Sequence, residues 1–451
     1  MREKWQKQMP LMAHIKDHPQ SKELKVISAI IDNNPTISEI VLQDLNRDKS
    51  PVQRSGAKGM TADQVVRCAV VKTLYNFTYE ELAFHIVDSQ SLRWFCRIGM
   101  GEAGFKKSTL NRNIKAVSDQ TWEMVNRCLL GYASQEKIEK GRKVRTDCTC
   151  VESNIHEPTD SSLLYDGVRV LTREIDRVHE GLGAKVPGFS NHNRRAKRRM
   201  MAIMNAKNKR QRKNSYIDLL KVAEKIMGYA DTALKEVLPA SASWKAIAIS
   251  ASIEHYAALM KQVIDQSRRR VILGEKVPAS EKVVSIFEPH TDIIKKDRRE
   301  TIYGHKICLT GGASNLILDC KIFEGNPADS SLAIPMLDRQ NEIYGRYPLK
   351  ASLDGGFASK ENLKQAKIRK IKDICFSKKR GLEKTDMCRS EYVYNRLRRF
   401  RAGIESGISW LKRCMGLTRC TWKGWHSFKS YVWSSIVAAN LLTLARAKLA
   451  V

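Results

Sequence analysis

Three acidic residues that are far apart in the chain have the chemistry to hold metal ions and cleave phosphodiesters. They are Asp147 in RKVRTDCTCVES, Asp354 in LDGGF and Glu405 in RAGIESGISWLKRC. Phosphodiester cleavage needs an activated water or hydroxyl in line with the leaving oxygen, and two Mg²⁺ ions meet these needs. Because Mg²⁺ prefers oxygen ligands and accepts few from the protein, two or three carboxylates suffice. Each acid taken alone is more simply a turn or surface residue, so the prediction depends on their meeting in the fold.

The elements that would carry the first two acids are predicted from local patterns. RKVRTDCTCVES alternates small apolar residues with polar ones, which predicts a strand with Asp147 in its middle. YPLKASLDGGF predicts a strand that ends at Asp354, and IKDICFS predicts one more short strand. We therefore place both aspartates on strands of one sheet.

Glu405 lies in a predicted helix from about residue 390 to 415. At about 100° per residue, Glu405 and Lys412 fall within roughly 40° of Arg401 on this helix. Next to this line runs an apolar stripe, formed by Leu397, Phe400, Ile404, Ile408 and Leu411. The helix can thus pack on a sheet with Glu405 at the edge of the buried stripe, and the two bases can hold DNA phosphates.

The order of the remaining elements predicts the fold. YGHKICLTGG and NLILDCKIFEG predict a hairpin, and helices then alternate with strands. A long helical stretch interrupts this series after the first strand. Without the interruption, the order is that of an RNase H-like α/β core, with a mixed five-stranded sheet whose first three strands are antiparallel.

The chain is long enough for two or three domains, and the patterns divide it into five segments. An all-helical N-terminal part, with Thr61 and Thr78 as N-caps, resembles a helix-turn-helix DNA reader or a plain bundle. The predicted segments are the N-terminal DNA-binding domain 1–140, the first-strand segment 141–172, a basic helical insertion 173–288, the rest of the catalytic core 289–421 and a C-terminal packing helix 422–451.

The charge of the chain points to a polyanionic partner. The 79 Lys and Arg residues exceed the 48 acids and leave a net charge of +31, which favours nucleic acid over an anionic membrane surface. The run 191–213 holds ten bases and no acid, and we interpret it as a DNA contact rather than an idle solvated arm. The expected DNA contacts outside the helix of Glu405 are Arg194, Arg195, Lys197, Arg198, Arg199, Asn111, Arg112, Lys115 and Lys306.

No segment predicts a signal peptide or a membrane span. The eleven cysteines form no CxxC pair, which is typical of reduced thiols in a cytoplasmic protein.

The triplet Arg401, Glu405 and Lys412 has the spacing Arg-x3-Glu-x6-Lys. In this respect the chain resembles the DDE transposases of bacterial insertion sequences, in the group marked by Tyr-x2-Arg-x3-Glu-x6-Lys. RTDCT and LDGGF are similar to the segments that bear the first and second family aspartates. Arg398 stands at the tyrosine position, and Tyr394 lies one turn earlier on the same face. The resemblance extends from about residue 60 to 445.

The resemblance implies a reaction. The carboxylates of Asp147, Asp354 and Glu405 would bind two Mg²⁺ ions, or Mn²⁺ in their place, and hydrolyse DNA at the ends of the element. The freed 3′-hydroxyl would then attack target DNA. The partners would be double-stranded DNA, as terminal inverted repeats and target, and other copies in a homodimer or larger synaptic complex. Arg401, Lys412, Arg398 and Tyr394 would contact DNA in the bacterial nucleoid.

Two alternatives to this reaction stay open. One is a metal-dependent nuclease on the same fold that joins nothing, and the other is an inactive DNA-binding regulator. The insertion also departs from the pattern, because better-known relatives are interrupted between the second aspartate and the glutamate. The insertion can serve to clamp DNA or to join two copies.

Overall fold

The structure is a computed structural model that describes residues 18–47, 59–99, 101–241, 243–296, 300–377 and 381–450. These residues fall into two compact units, which are Met1–Val151 together with Lys306–Val451, and Glu152–His305. We call them the core unit and the helical unit. The helical unit contains the predicted insertion 173–288 within wider bounds.

The core unit begins with helices whose ends follow from local capping. Thr61 and Thr78 are the N-caps of two of them, each in a capping box with the residue three positions later, as predicted. Lys106 precedes the helix that carries Asn111, and its side chain makes no capping hydrogen bond. The helices are α1 (Pro19–Asp32), α2 (Thr36–Asn46), α3 (Ala62–Leu74), α4 (Tyr79–Asp88), α5 (Gln90–Phe95), α6 (Lys107–Ala116) and α7 (Asp119–Gln135).

The strands form one mixed sheet. They are β1 (Lys143–Glu152), β2 (Asp292–Lys296), β3 (Glu300–Gly311), β4 (Ile317–Ile322), β5 (Lys350–Leu353) and β6 (Asp373–Phe376). In the core unit their order is β4-β3-β1-β5-β6, with β1 parallel to β5, β5 parallel to β6, and β3 antiparallel to β4. Strands and helices together make the α/β core that the sequence predicts.

The sheet has six described strands, so the prediction of five was wrong. The additional strand β2 pairs antiparallel with the first residues of β3, from Asp292↔Gly304 to Lys296↔Glu300. Its sequence, DIIKK, is short and lacks the apolar–polar alternation that marks a half-buried strand. Pairing with β3 rather than local pattern therefore determines this strand.

Helices cover the sheet of the core unit and connect it to the N-terminal helices. They are α12 (Asp329–Tyr344), α13 (Lys360–Ile368), α14 (Lys384–Met387), α15 (Glu391–Cys414) and α16 (Trp425–Leu449). Asn440 of α16 accepts a hydrogen bond from the amide of Ile317 and donates one to Asn126 of α7, at 2.8 and 2.7 Å. Because these side chains are buried and satisfied, they fix α16 between β4 and the N-terminal helices.

The helical unit has its own apolar core. Its long helices are amphipathic, and leucine, isoleucine and valine side chains fill the space between them. Short π-helical turns, Ala233–Val237 and Arg268–Ile272, extend the third and fourth of its four described α-helices. The helices of this unit are α8 (Asp160–Leu182), α9 (Asn193–Met204), α10 (Lys209–Thr232) and α11 (Trp244–Ser267).

Among the described residues, no helix is both long and apolar enough to span a bilayer.

Candidate active site

The three predicted acids converge on one guanidinium group, that of Arg401. Its Nη1 atom lies 3.3 Å from Oδ2 of Asp147 and 3.0 Å from Oδ1 of Asp354, and its Nη2 atom donates to Oε1 of Glu405. The Arg401 side chain is only 14% exposed. Three carboxylates, from β1, from the end of β5 and from α15, therefore share one partly buried cation.

Asp147 is placed by β1, the central strand of the core-unit sheet. Its Oδ1 accepts a hydrogen bond of 2.8 Å from the amide of Cys148. Burial raises the pKa of Asp147 to about 6, and the charges of Asp354 and Glu405 act in the same direction, while this hydrogen bond and Arg401 oppose the rise. The position therefore favours a proton or a cation next to this carboxylate.

Asp354 follows the last residue of β5 and is set beside Asp147 by strand register. Thr146 of β1 pairs with Leu353 of β5, and the two strands are parallel. Asp147 and Asp354 directly follow the two residues of this pair in sequence, so they lie side by side. Ser377, just after β6, donates a hydrogen bond of 2.7 Å to Oδ1 of Asp354. Although burial acts to raise it, the pKa of Asp354 is lowered by this bond and by the charge of Arg401. The carboxylate is thus held ionised and oriented.

Helix α15 brings Glu405 and Arg401 to the aspartates. The stripe predicted to pack on the sheet is confirmed for Leu397, Ile404 and Leu411, which are buried, while Phe400 and Ile408 are partly buried. Ser352 of β5 donates a hydrogen bond of 2.8 Å to the carbonyl of Leu397. The Glu405 side chain itself is 56% exposed, which leaves it open to a ligand.

Two of the predicted DNA contacts near the site are buried and contact other groups of the protein instead. Tyr394 is buried, and its hydroxyl donates to the carbonyl of Phe376 at 3.2 Å. Lys306 is buried, and its amino group contacts Asp329 and the carbonyl of Pro327. Neither side chain is free to reach a phosphate in this arrangement, so we remove both from the proposed DNA contacts.

The other predicted bases on α15 differ in exposure. Arg398 is exposed and Lys412 is half-buried. Arg401 has its guanidinium turned to the acids rather than to solvent.

The basic run of the helical unit has two faces. Arg195 and Arg199 of α9 both form ion pairs with Asp218 of α10. Arg194, Lys197 and Arg198 are exposed and lie together on another face, since positions three and four apart align on a helix. Among the described residues of α9, the ion pairs are those of Arg195 and Arg199, so the second face of this helix carries the charge that no acid offsets. The difference between the two faces depends on Asp218, an acid outside the run.

On α6, Arg112 is exposed, and Asn111 and Lys115 are half-buried. The amino group of Lys115 lies 5.9 and 5.7 Å from the ring centroids of Tyr79 and Trp422. These ring contacts, together with burial that lowers the pKa of Lys115, indicate a packing role for its side chain. Arg112 is the most accessible of the three predicted contacts on this helix.

The chemistry of the acids fits a divalent cation. All three offer hard oxygen donors, and they already surround a positive group. Within the described residues, however, no three His, Cys, Asp or Glu side chains form a group that could hold a metal ion. In the structure the three acids contact the guanidinium of Arg401 instead.

Sequence reasoning missed two residues of this region. Ser377 orients Asp354 from the next strand, and only the strand pairing reveals it. Arg145 precedes Asp147 by two positions on β1 and contacts α15 through the carbonyl of Phe400. Strand alternation, which puts both side chains on one face, was the signal that could have revealed Arg145.

Two family models match the chain. A transposase DDE domain matches residues 282–441, which include Asp354 and Glu405, and a transposase domain (DUF772) matches residues 12–116. Asp147 lies outside both ranges. No curated protein and no solved structure matches the chain. With the geometry above, the two matches identify the chain as a member of the insertion-sequence DDE transposases.

Proposed function

We propose that the protein moves a DNA element by binding its terminal inverted repeats, hydrolysing its strand ends and joining the 3′-hydroxyls to target DNA. The observation that carries this proposal is the meeting of Asp147, Asp354 and Glu405 around Arg401. Acids so distant in sequence have no structural need to share one cation, whereas in-line phosphoryl transfer needs such a cluster.

The strand order supports an RNase H-like core. In chain order the core-unit strands are β1, β3, β4, β5 and β6, and in the sheet they run β4-β3-β1-β5-β6 with the last pairs parallel. This is the arrangement expected of that fold, with the first strand in the centre and the aspartate-bearing strands adjacent. The predicted division into an N-terminal DNA-binding domain, an interrupted core and an insertion is part of the proposal.

In the proposed reaction the carboxylates hold divalent cations, two Mg²⁺ or Mn²⁺ in their place. When bound, the metal supplies activation of the attacking water or hydroxyl and charge for the leaving oxygen. The protein supplies the rest. Ser377 keeps Asp354 oriented, β1 holds Asp147 in a partly buried position, and Arg401, released from the acids, is available to a DNA phosphate.

We propose that DNA is bound by polar and basic side chains on several elements. These are Arg398, Arg401 and Lys412 of α15, Asn111 and Arg112 of α6, and Arg194, Arg195, Lys197, Arg198 and Arg199 of α9. The net charge of +31 favours such binding through counterion release. Two copies or more would hold the two ends of the element in a synaptic complex in the bacterial cytoplasm.

A joining assay tests this function. Purified protein is incubated with DNA carrying the flanking ends of its own element and with a plasmid target, with Mg²⁺ or with EDTA. Mg²⁺-dependent joined products support a transposase. Cut ends without joined products favour a nuclease on the same fold, and end binding without cleavage favours a regulator.

A further inference from the structure

Arg145 is a buried cation that the proposed chemistry does not use. Its side chain lies on β1 on the same face as Asp147, since alternate residues of a strand share a face. The residue is 6% exposed. Burying a guanidinium costs free energy unless its donors are satisfied. The groups that Arg145 contacts are therefore important for keeping it in this position.

The guanidinium of Arg145 connects three elements of the core unit. Nη1 donates a hydrogen bond of 3.0 Å to the carbonyl of Phe400 on α15, and Nη2 donates to Oδ1 of Asn315 in the turn between β3 and β4. The charge also lies 4.6 Å from the centroid of the Phe400 ring. Phe400 directly precedes Arg401, so this contact lies next to the residue that gathers the acids.

A glycine makes room for this contact. A Cβ atom at Gly403 would lie 1.8 Å from Nη1 and 2.7 Å from Cζ of Arg145, which no pair of real atoms tolerates. A Cβ atom at Gly407, one turn later on α15, would have no neighbouring side chain within 4 Å. Glycine inside a helix lowers its stability by roughly 0.5–1 kcal/mol relative to alanine, and at position 403 the passage of Arg145 explains the choice.

We infer that Arg145 is a positioning residue, which with Gly403 sets how closely α15 lies over β1. The spacing between helix and strand in turn sets the distance from Glu405 and Arg401 to Asp147 and Asp354. The side chain of Arg145 does not touch the reacting atoms. The inference rests on the proposed function, because that function is what makes the three acids catalytic.

The packing is tested by a double-mutant cycle. Gly403→Ala lowers the melting temperature in the wild-type background. In the Arg145→Ala background, where the atoms that a Cβ would meet are gone, it leaves the melting temperature unchanged or raises it. Gly407→Ala is the matched control and leaves the melting temperature unchanged or raises it in both backgrounds. An equal loss from Gly403→Ala in both backgrounds would overturn the inference, as would a Gly407→Ala variant that behaves like Gly403→Ala.

The positioning role is tested by Mn²⁺ affinity, measured by calorimetry without DNA. Gly403→Ala and the conservative Arg145→Lys, which cannot make both contacts of the guanidinium, weaken Mn²⁺ binding several-fold, whereas Gly407→Ala leaves it within twofold. Folded variants with lowered melting temperature and unchanged Mn²⁺ affinity would show a merely structural role and overturn the inference. Failure of the wild-type protein to cut or join DNA would instead refute the proposed function, because neither measurement here depends on DNA chemistry.

Discussion

The Nη1 atom of Arg401 lies 3.0 Å from Oδ1 of Asp354. The same nitrogen faces Asp147, while Nη2 faces Glu405. Without metal, three carboxylates this close would repel one another strongly. The guanidinium therefore offsets the repulsion among the three carboxylates.

Replacing Arg401 by glutamine should destabilise the metal-free protein. The substitution leaves three carboxylates without their common cation, at a cost of about 2 kcal/mol at pH 8, the range of a hydrogen bond to a charged group. Thermal unfolding in EDTA and in excess Mg²⁺ checks this, because the metal should restore most of the lost stability. Arg399→Gln, at an exposed neighbouring position, is the control. A loss of stability that Mg²⁺ does not reduce would argue against a shared metal site.

The pKa of Asp147 makes stability depend on pH in a definite direction. In the unfolded chain an aspartate ionises near pH 4, but in the fold Asp147 ionises only at about 6. Between these values the unfolded chain loses its proton first, so the free energy of unfolding falls as the pH rises. Above pH 6 the free energy of unfolding stays lower by a constant amount, on the order of 3 kcal/mol.

Asp147→Asn should remove this loss. In metal-free buffer the variant should match the wild type below pH 4, gain on it between pH 4 and 6, and stay more stable at higher pH. Urea unfolding in EDTA at several pH values measures the difference. Asp386→Asn, at an exposed position of α14, should show no such divergence. A variant less stable than the wild type at pH 8 would contradict the assigned pKa.

Asp218 should lower the affinity of α9 for DNA. Asp218→Asn releases Arg195 and Arg199 from their ion pairs, so affinity for double-stranded DNA should rise and its salt dependence should steepen. Each new phosphate contact adds about 0.9 to the slope of log K against log salt. Filter binding at several salt concentrations measures both quantities.

The exposed face of α9 provides the comparison. Joint replacement of Arg194, Lys197 and Arg198 by glutamine should weaken DNA binding and flatten the salt dependence. If this triple variant and Asp218→Asn both leave the slope unchanged, α9 does not touch phosphate.

The sequence predicted the elements of the site well because periodicity reports burial directly. Alternation located β1 around Asp147, and the helical phase of α15 put Glu405 beside the stripe of Leu397, Ile404 and Leu411. These are local properties, fixed by which residues must face an apolar core.

What the sequence could not reveal depends on partners far along the chain. The sequence predicts Lys306 and Tyr394 as DNA contacts. In the fold, Lys306 pairs with Asp329, and the hydroxyl of Tyr394 donates to the carbonyl of Phe376. The pairing of Arg195 with Asp218 and the passage of Arg145 past Gly403 have no local signature either. Such contacts arise only when separate elements pack together.

We propose that Asp147, Asp354 and Glu405 form one catalytic centre. Asp354→Asn tests it most directly, through the Mg²⁺-dependent rate at which the protein cuts and joins the ends of its own element. We predict that end binding stays within a few-fold of the wild type while cleavage and joining fall roughly 10³-fold or more, with Asp386→Asn unaffected. Mg²⁺-dependent joining by Asp354→Asn at near wild-type rate would contradict the account.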